Sequence, residues 1–362
     1  MREMNRTWIA LVLLAMPLAA PVRGQGPAQG AADHRTAVQA VFQLSQTAAT
    51  MEDYTTMIDE CQRLMAEPGL APAHQAYLKQ LGSWALNRRG EARSEESAAK
   101  AEAGDTEAAA QLDAQSLEDF NLALEWDATR WKAFHNRGVS YAMTHDYDKA
   151  LADFDQALRL KPTYANTWFN RGEIHYEQGK YAEAIADYNN VLRVNRDDAD
   201  AYTRRGHAYF KLGRYREALS DYSRAVTLKP DDAMAYLNRG EAYLSLSLWD
   251  PAARDYRQAI TIDGTMGRAY QGAAWLMAAC PDQRYRYPDR AVNAALKAIE
   301  LAGDEVDYRY YDTLAAAHAT AGDFAKAQEV IVTAIENAPE DKAEDLKKRQ
   351  TMYQQNQAYR IQ

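Results

Sequence analysis

Seven histidines, two cysteines and a recurrent arginine–aspartate interval carry whatever chemistry this sequence can perform. His34, His74, His135, His145, His175, His207 and His318 are spread along the chain with no HExxH pair and no compact ligand set, so no metal site is assigned. No serine stands in GxSxG, and the stretch from Gly264 to Gly272 lacks the strand and the glycine spacing of a nucleotide fingerprint. Cys61 and Cys280 have neither CxxC spacing nor a nearby resolving cysteine for thiol exchange. The expectation is a chain with no catalytic residues and no cofactor. What remains is ionic: Arg137, Arg171, Arg205 and Arg239 stand 16 residues before Asp153, Asp187, Asp221 and Asp255. Semi-buried charges recover their desolvation cost only in good geometry, so these columns read as a ladder of intramolecular ion pairs. The competing reading, an arginine track for anionic ligands, has to contend with the matching carboxylates, which would neutralise it.

These pairs sit on a ruler of 34 residues. Gly138, Gly172, Gly206 and Gly240 keep that interval, as do Ala150, Ala184, Ala218 and Ala252, and the aromatic series Phe154, Tyr188, Tyr222 and Tyr256. From Trp168 to Tyr176 and from Ala182 to Leu192, apolar and small residues recur at three and four positions, the period of an amphipathic helix. Gly179 in the turn between them is free to take positive φ at a helix end. The small column lets the two helices of a unit approach closely, and the 16-residue interval puts arginine on one helix and aspartate on the other. One such pair cannot bury its own apolar face, so stability must come from stacking. Asp197 with Asp198, and Asp231 with Asp232, lie where the free N–H groups of the next helix favour them.

This pattern resembles the tetratricopeptide repeat family. The resemblance implies an all-α solenoid, a right-handed superhelix of antiparallel helix pairs. Four regular units are expected over 131–266. Divergent hairpins are expected over 36–130, with an insertion near 91–115 rich in helix-forming residues. Two further hairpins over 267–340, the first with an extended turn, and a capping helix over 341–362 complete the array. The stretch from Ala274 to Asp282, Tyr311 to Ala315, and the terminal Leu346 to Arg349 with Ala358 to Arg360 are similar to repeats of exported bacterial proteins of planctomycete type.

In the family, the first helix of each unit lines the concave surface and receives segments of other proteins. The corresponding positions here are Lys132, His135, Val139 and Met143; Phe169, Glu173, Tyr176 and Glu177; Thr203, His207, Phe210 and Lys211; and Leu237, Glu241 and Leu244. Aromatic and mixed in charge, this surface suits a protein or peptide better than a phosphate backbone. A clamp for a terminal carboxylate is weakly supported, because Asn136, Asn170 and Asn238 match an asparagine column that Arg204 interrupts.

A net charge of −9 argues against a general nucleic-acid partner. Residues 1–24 read as an export signal, with Arg2 and Arg6 ahead of an apolar run from Trp8 to Ala20 that is too short to span a bilayer. Residues 25–35 read as a flexible segment. The expectation is a periplasmic or secreted monomer that binds a protein or peptide, without stable membrane insertion. Self-assembly into an envelope structure and service as a regulatory subunit of an envelope enzyme are the alternatives.

Overall fold

The computed structural model describes residues 28–361, so the expected export segment lies outside the described residues. Seventeen α-helices follow one another in this span, with two short 3-10 turns and no strand among the described residues. They fall into two compact units, divided between Ala133 and Phe134 inside a single helix.

The first unit holds α1 (Ala28–Thr47), α2 (Met51–Met65), α3 (Pro72–Glu102) and α4 (Thr106–Trp126). From Ala28, the first described residue, the segment expected to be flexible over 25–35 is helical. A capping box starts α2, with Thr50 accepting from the Asp53 N–H and Asp53 accepting from the Thr50 N–H. The insertion near 91–115 is helix rather than loop: α3 runs 31 residues and α4 runs 21, joined at Gly104 with φ +83. Ser83 and Ser97 tie the two helices by donating to the carbonyls of Ala123 and Ala109.

Helix α5 (Trp131–Met143) crosses the division. The second unit continues with α6 (Tyr147–Leu160), α7 (Ala165–Glu177), α8 (Tyr181–Val194), α9 (Ala199–Lys211), α10 (Tyr215–Leu228), α11 (Ala233–Ser245), α12 (Trp249–Ile262) and α13 (Gly267–Ala279). After α13 come α14 (Pro288–Ala302), α15 (Tyr308–Thr320), α16 (Phe324–Glu336) and α17 (Glu340–Gln354). Each of the four regular hairpins closes over a buried aromatic. Phe154, Tyr188, Tyr222 and Tyr256 are at most 2% exposed. A Cβ on Gly138, Gly172, Gly206 or Gly240 would come within 2.7 to 3.0 Å of the matching ring. Glycine recurs there because the ring edge occupies the space a side chain would need. Burying each ring is worth about 1.5–3 kcal/mol, and the next hairpin must cover it for that gain to be realised.

The turns repeat as well. His145, Gly179, Gly213 and Ser247 all have positive φ, and the residue after each returns its N–H to a carbonyl of the preceding helix. Asp198 and Asp232 cap the N-termini of α9 and α11, whereas Asp197 pairs with Arg224.

The expected terminal helix over 341–362 is shorter than that. It ends at Gln354, with Asn356 at φ +55, and the remaining residues turn back. Ile361 N–H donates to the Ala279 carbonyl at 2.8 Å, and the Arg360 guanidinium reaches Thr320 Oγ1 at 3.0 Å and the Ala278 carbonyl at 3.3 Å. The last carbonyls of α13, which have no partner inside their own helix, are satisfied in this way. Leu346 and Tyr353 are buried against α15 and α16. Among the described residues, no helix is long and apolar enough to cross a membrane.

Candidate partner-binding surface

The arginine and aspartate columns meet inside each regular hairpin. Arg137 grips Asp153 with contacts of 2.7 and 2.8 Å, Arg171 grips Asp187 at 3.0 and 2.6 Å, Arg205 grips Asp221 at 2.8 and 2.6 Å, and Arg239 grips Asp255 at 2.6 and 2.8 Å. In every case Nε and Nη2 face the two carboxylate oxygens, the fork geometry that lysine cannot reproduce. All four aspartates are buried. Burial still pushes the Asp221 carboxyl above its usual range, with Arg205 opposing the shift. Two of the arginines also reach backwards: Arg171 Nη1 lies 2.6 Å from Asp155, and Arg205 Nη1 lies 2.5 Å from Asn189. Each fork therefore closes its own hairpin, and at Arg171 and Arg205 a third nitrogen ties it to the previous one.

A further column went unread in the sequence. Phe134, Trp168, Tyr202 and Tyr236, three residues before each arginine and 34 apart, place their rings under the guanidinium at 4.7 to 5.8 Å. Their common interval was the available signal. In the first unit, Asp119 receives both Arg89 and Arg93.

The expected groove residues divide into two groups. Lys132 and Lys211 are exposed, while Phe169, Glu173, Tyr176, Thr203, His207, Phe210 and Glu241 are half-buried. Phe169 packs edge-on to Tyr188, and Tyr176 and Phe210 pack edge-on to Tyr181 and Tyr215. Glu173 accepts from the Tyr188 hydroxyl and lies 3.4 Å from Arg204. Burial, reinforced by Arg204, pushes the His207 imidazole down to about 4.

Two assignments are corrected. His135 is buried, hydrogen-bonded to Thr167 at 2.9 Å and packed between Phe154 and Tyr164. Leu237 is wholly buried in a core with Ala252, Tyr256 and Ala269. Both face the next hairpin, so neither is available to a partner.

A cavity of 260 Å³ opens between Leu244 of α11, Tyr256 of α12, Trp275 of α13, Asp312 of α15 and Arg349 of α17. Gln271 and Trp275 continue the columns of Leu237 and Glu241 by another 34 residues, so the repeat interval already pointed to them. Arg349 pairs with Asp312 and lies between the rings of Trp275 and Tyr359, 5.0 and 4.4 Å from their centres. Burial pushes the Asp312 carboxyl above its usual range against the pull of Arg349. No group of histidine, cysteine and carboxylate side chains among the described residues is arranged to hold a metal ion. Cys61 and Cys280 are buried free thiols, and burial pushes Cys61 up to about 12.

Residues 146–179, 172–213 and 206–247 match the family model of the TPR repeat, and these hairpins are TPR repeats. The chain is similar to the crystal structure of YrrB, described as a TPR protein with an unusual peptide-binding site, at 23% identity over 52% of this chain and 94% of that one, with a TM-score of 0.46. A tetratricopeptide repeat protein from Parabacteroides merdae is 17% identical over 72% of this chain and 98% of that one, with a TM-score of 0.49. The first TPR of Spaghetti (RPAP3), bound to the HSP90 peptide SRMEEVD, is 27% identical over 33% of this chain and 96% of that one, with a TM-score of 0.32. No curated protein sequence gives a significant match.

Proposed function

We propose that the chain is a noncatalytic scaffold of the bacterial cell envelope that holds a protein or peptide partner on the first helices of its repeats. The match of 146–247 to the TPR repeat supports this reading, since in that family these helices receive segments of other proteins. The observation that carries it is a division of labour on α7 and α9. Arg171 and Arg205 are spent on Asp187 and Asp221, while Phe169, Tyr176 and Phe210 on the same helices keep part of their surface accessible. Accessible aromatics beside charges that are already paired offer contact area and little net field, which suits a peptide. The envelope location rests on the reading of residues 1–24 as an export signal.

The test is affinity capture from envelope extracts with the full chain, alongside a variant carrying Phe169→Ala, Tyr176→Ala and Phe210→Ala. Specific retention of a partner by the parent chain and its loss in the variant are expected. Sedimentation of the purified chain is expected to give a concentration-independent monomer. Obligatory self-association would favour the structural alternative.

A further inference from the structure

We infer that Arg286 and Arg360, which converge at the C-terminal end of α13, form a two-arginine site for the carboxylate of an acidic side chain presented by a protein partner. The protein source of that carboxylate rests on the scaffold reading, whereas the chemistry rests on the two arginines. The fold brings together the turn that follows Ala279 and the end of the chain, where Arg360 reaches back to α13. Both guanidinium charges act on the buried Cys280 thiol, and that of Arg286 acts on Arg360 itself, so the two stand around one spot. Arg360 carries all three of its hydrogen bonds on Nη1, to the Tyr359 carbonyl at 2.7 Å, Thr320 Oγ1 at 3.0 Å and the Ala278 carbonyl at 3.3 Å. Its Nε and Nη2 have no acceptor, and both keep contact with solvent. Arg286, half-buried in the turn, has neither a side-chain hydrogen bond nor an ion pair among the described residues.

The rest of the chain shows what such nitrogens hold. In all four ladder pairs Nε and Nη2 are the atoms that grip the aspartate oxygens. In the first unit a single carboxylate, Asp119, is held by two arginines at once, Arg89 and Arg93. Arg286 and Arg360 are likewise two arginines, but no carboxylate of the described residues joins them. Asp282, four residues before Arg286, does not serve, since Arg284 already grips both of its oxygens at 2.6 to 3.2 Å. At Arg137 and Arg239 the paired aspartate, against burial, raises the guanidinium above its usual range. At Arg360 burial and then the Arg286 charge push it below. An incoming carboxylate offsets that repulsion. Phosphate fits less well, because its sites draw on free backbone N–H groups. Here the N–H groups of Arg284, Tyr285, Arg286, Tyr287 and Ile361 are all donated within the chain. A planar carboxylate needs only the guanidinium forks.

The experiment uses the purified full chain with isotope-labelled arginine and follows the Arg360 Nε–H resonance, assigned with Arg360→Lys. The probes are N-acetyl-glutamate methylamide, its glutamine counterpart and inorganic phosphate, at tens of millimolar and matched ionic strength. The glutamate probe is expected to shift the resonance saturably and to bind more tightly than phosphate, and the glutamine probe to leave the resonance in place. Arg286→Gln, which alters a side chain with no hydrogen bond of its own, is expected to weaken glutamate binding roughly threefold to tenfold. The inference is overturned by the absence of a saturable shift with the glutamate probe or by an equal response to the glutamine probe. It is equally overturned by tighter binding of phosphate or by unchanged glutamate binding in the Arg286 variant. Because the assay needs no partner protein, its outcome is separate from that of the capture experiment. Binding of the glutamate probe without any captured partner would sink the scaffold reading and keep the carboxylate site, and capture without probe binding would do the reverse.

Discussion

Arg171 holds Asp187 through two parallel contacts of 3.0 and 2.6 Å, although the two residues lie on different helices and Asp187 is 1% exposed. A carboxylate so deeply placed is tolerable only because the fork of the guanidinium meets both of its oxygens, with the His175 imidazole a third neighbour at 3.1 Å. Arg171→Ala is therefore expected to destabilise the central hairpins by about 1–3 kcal/mol. In a double-mutant cycle with Asp187→Ala, read by chemical denaturation at fixed salt, a clear coupling energy should remain. Additive losses would mean that the pair contributes nothing beyond its two separate side chains.

Gly172 is a second point of strain if altered. A Cβ there would stand 2.9 Å from the Tyr188 ring and 3.2 Å from the Asp187 Cβ. Gly172→Ala should cost about 1–3 kcal/mol through displacement of a ring that has nowhere to move. Thermal unfolding checks it, and a neutral result would show that the hairpin relaxes more easily than its packing suggests.

Ser247 makes the opposite case. Its φ of 58 matches the 73 and 71 of Gly179 and Gly213 at the same place in the neighbouring units, yet it carries a Cβ. Ser247→Gly should stabilise the protein by about 0.5–1 kcal/mol, net of the extra freedom that glycine adds to the unfolded chain. A lower melting temperature would contradict this.

The acid limb of stability should carry a signature of His207. Its imidazole is pushed from 6.5 down to about 4, first by burial and then by Arg204. Below pH 6.5 the unfolded chain takes up a proton that the folded chain refuses until about pH 4. The contribution is therefore present above the unfolded value and is lost as pH falls through that window, by about 3 kcal/mol. His207→Gln should flatten that part of the stability curve, measured by denaturant midpoints across the window. Parallel curves for the two proteins would rule out His207 as the cause.

The repeat framework was legible because its causes are local and periodic. Gly172, Asp187 and Tyr188 solve the same packing problem as Gly206, Asp221 and Tyr222, and a fixed interval exposes such repetition. The face of each first helix was less legible. His135, Phe169, Thr203 and Leu237 occupy one column at the margin between core and surface, where the neighbouring hairpin decides burial. Thr167 offers His135 a hydrogen-bond partner, and Tyr256 with Ala269 encloses Leu237. Such outcomes depend on what the next unit places opposite, which the pattern within one unit does not contain. Asp312 and Arg349, 37 residues apart, fall outside the interval altogether. The returning tail, with Arg360 meeting Ala278 across 82 residues, leaves no periodic trace.

The proposed scaffold assigns the arginine and aspartate columns to holding the array together and the accessible first-helix aromatics to binding the partner. Capture yield from envelope extracts, compared between Arg171→Ala and the Phe169, Tyr176 and Phe210 triple truncation with both shown folded at the assay temperature, tests it most directly. The Arg171 variant is expected to unfold more easily yet retain the partner, and the triple variant to lose it. An Arg171 variant with unaltered unfolding that no longer captures the partner, beside a triple variant that still does, would contradict the account and make the arginine column the binding surface.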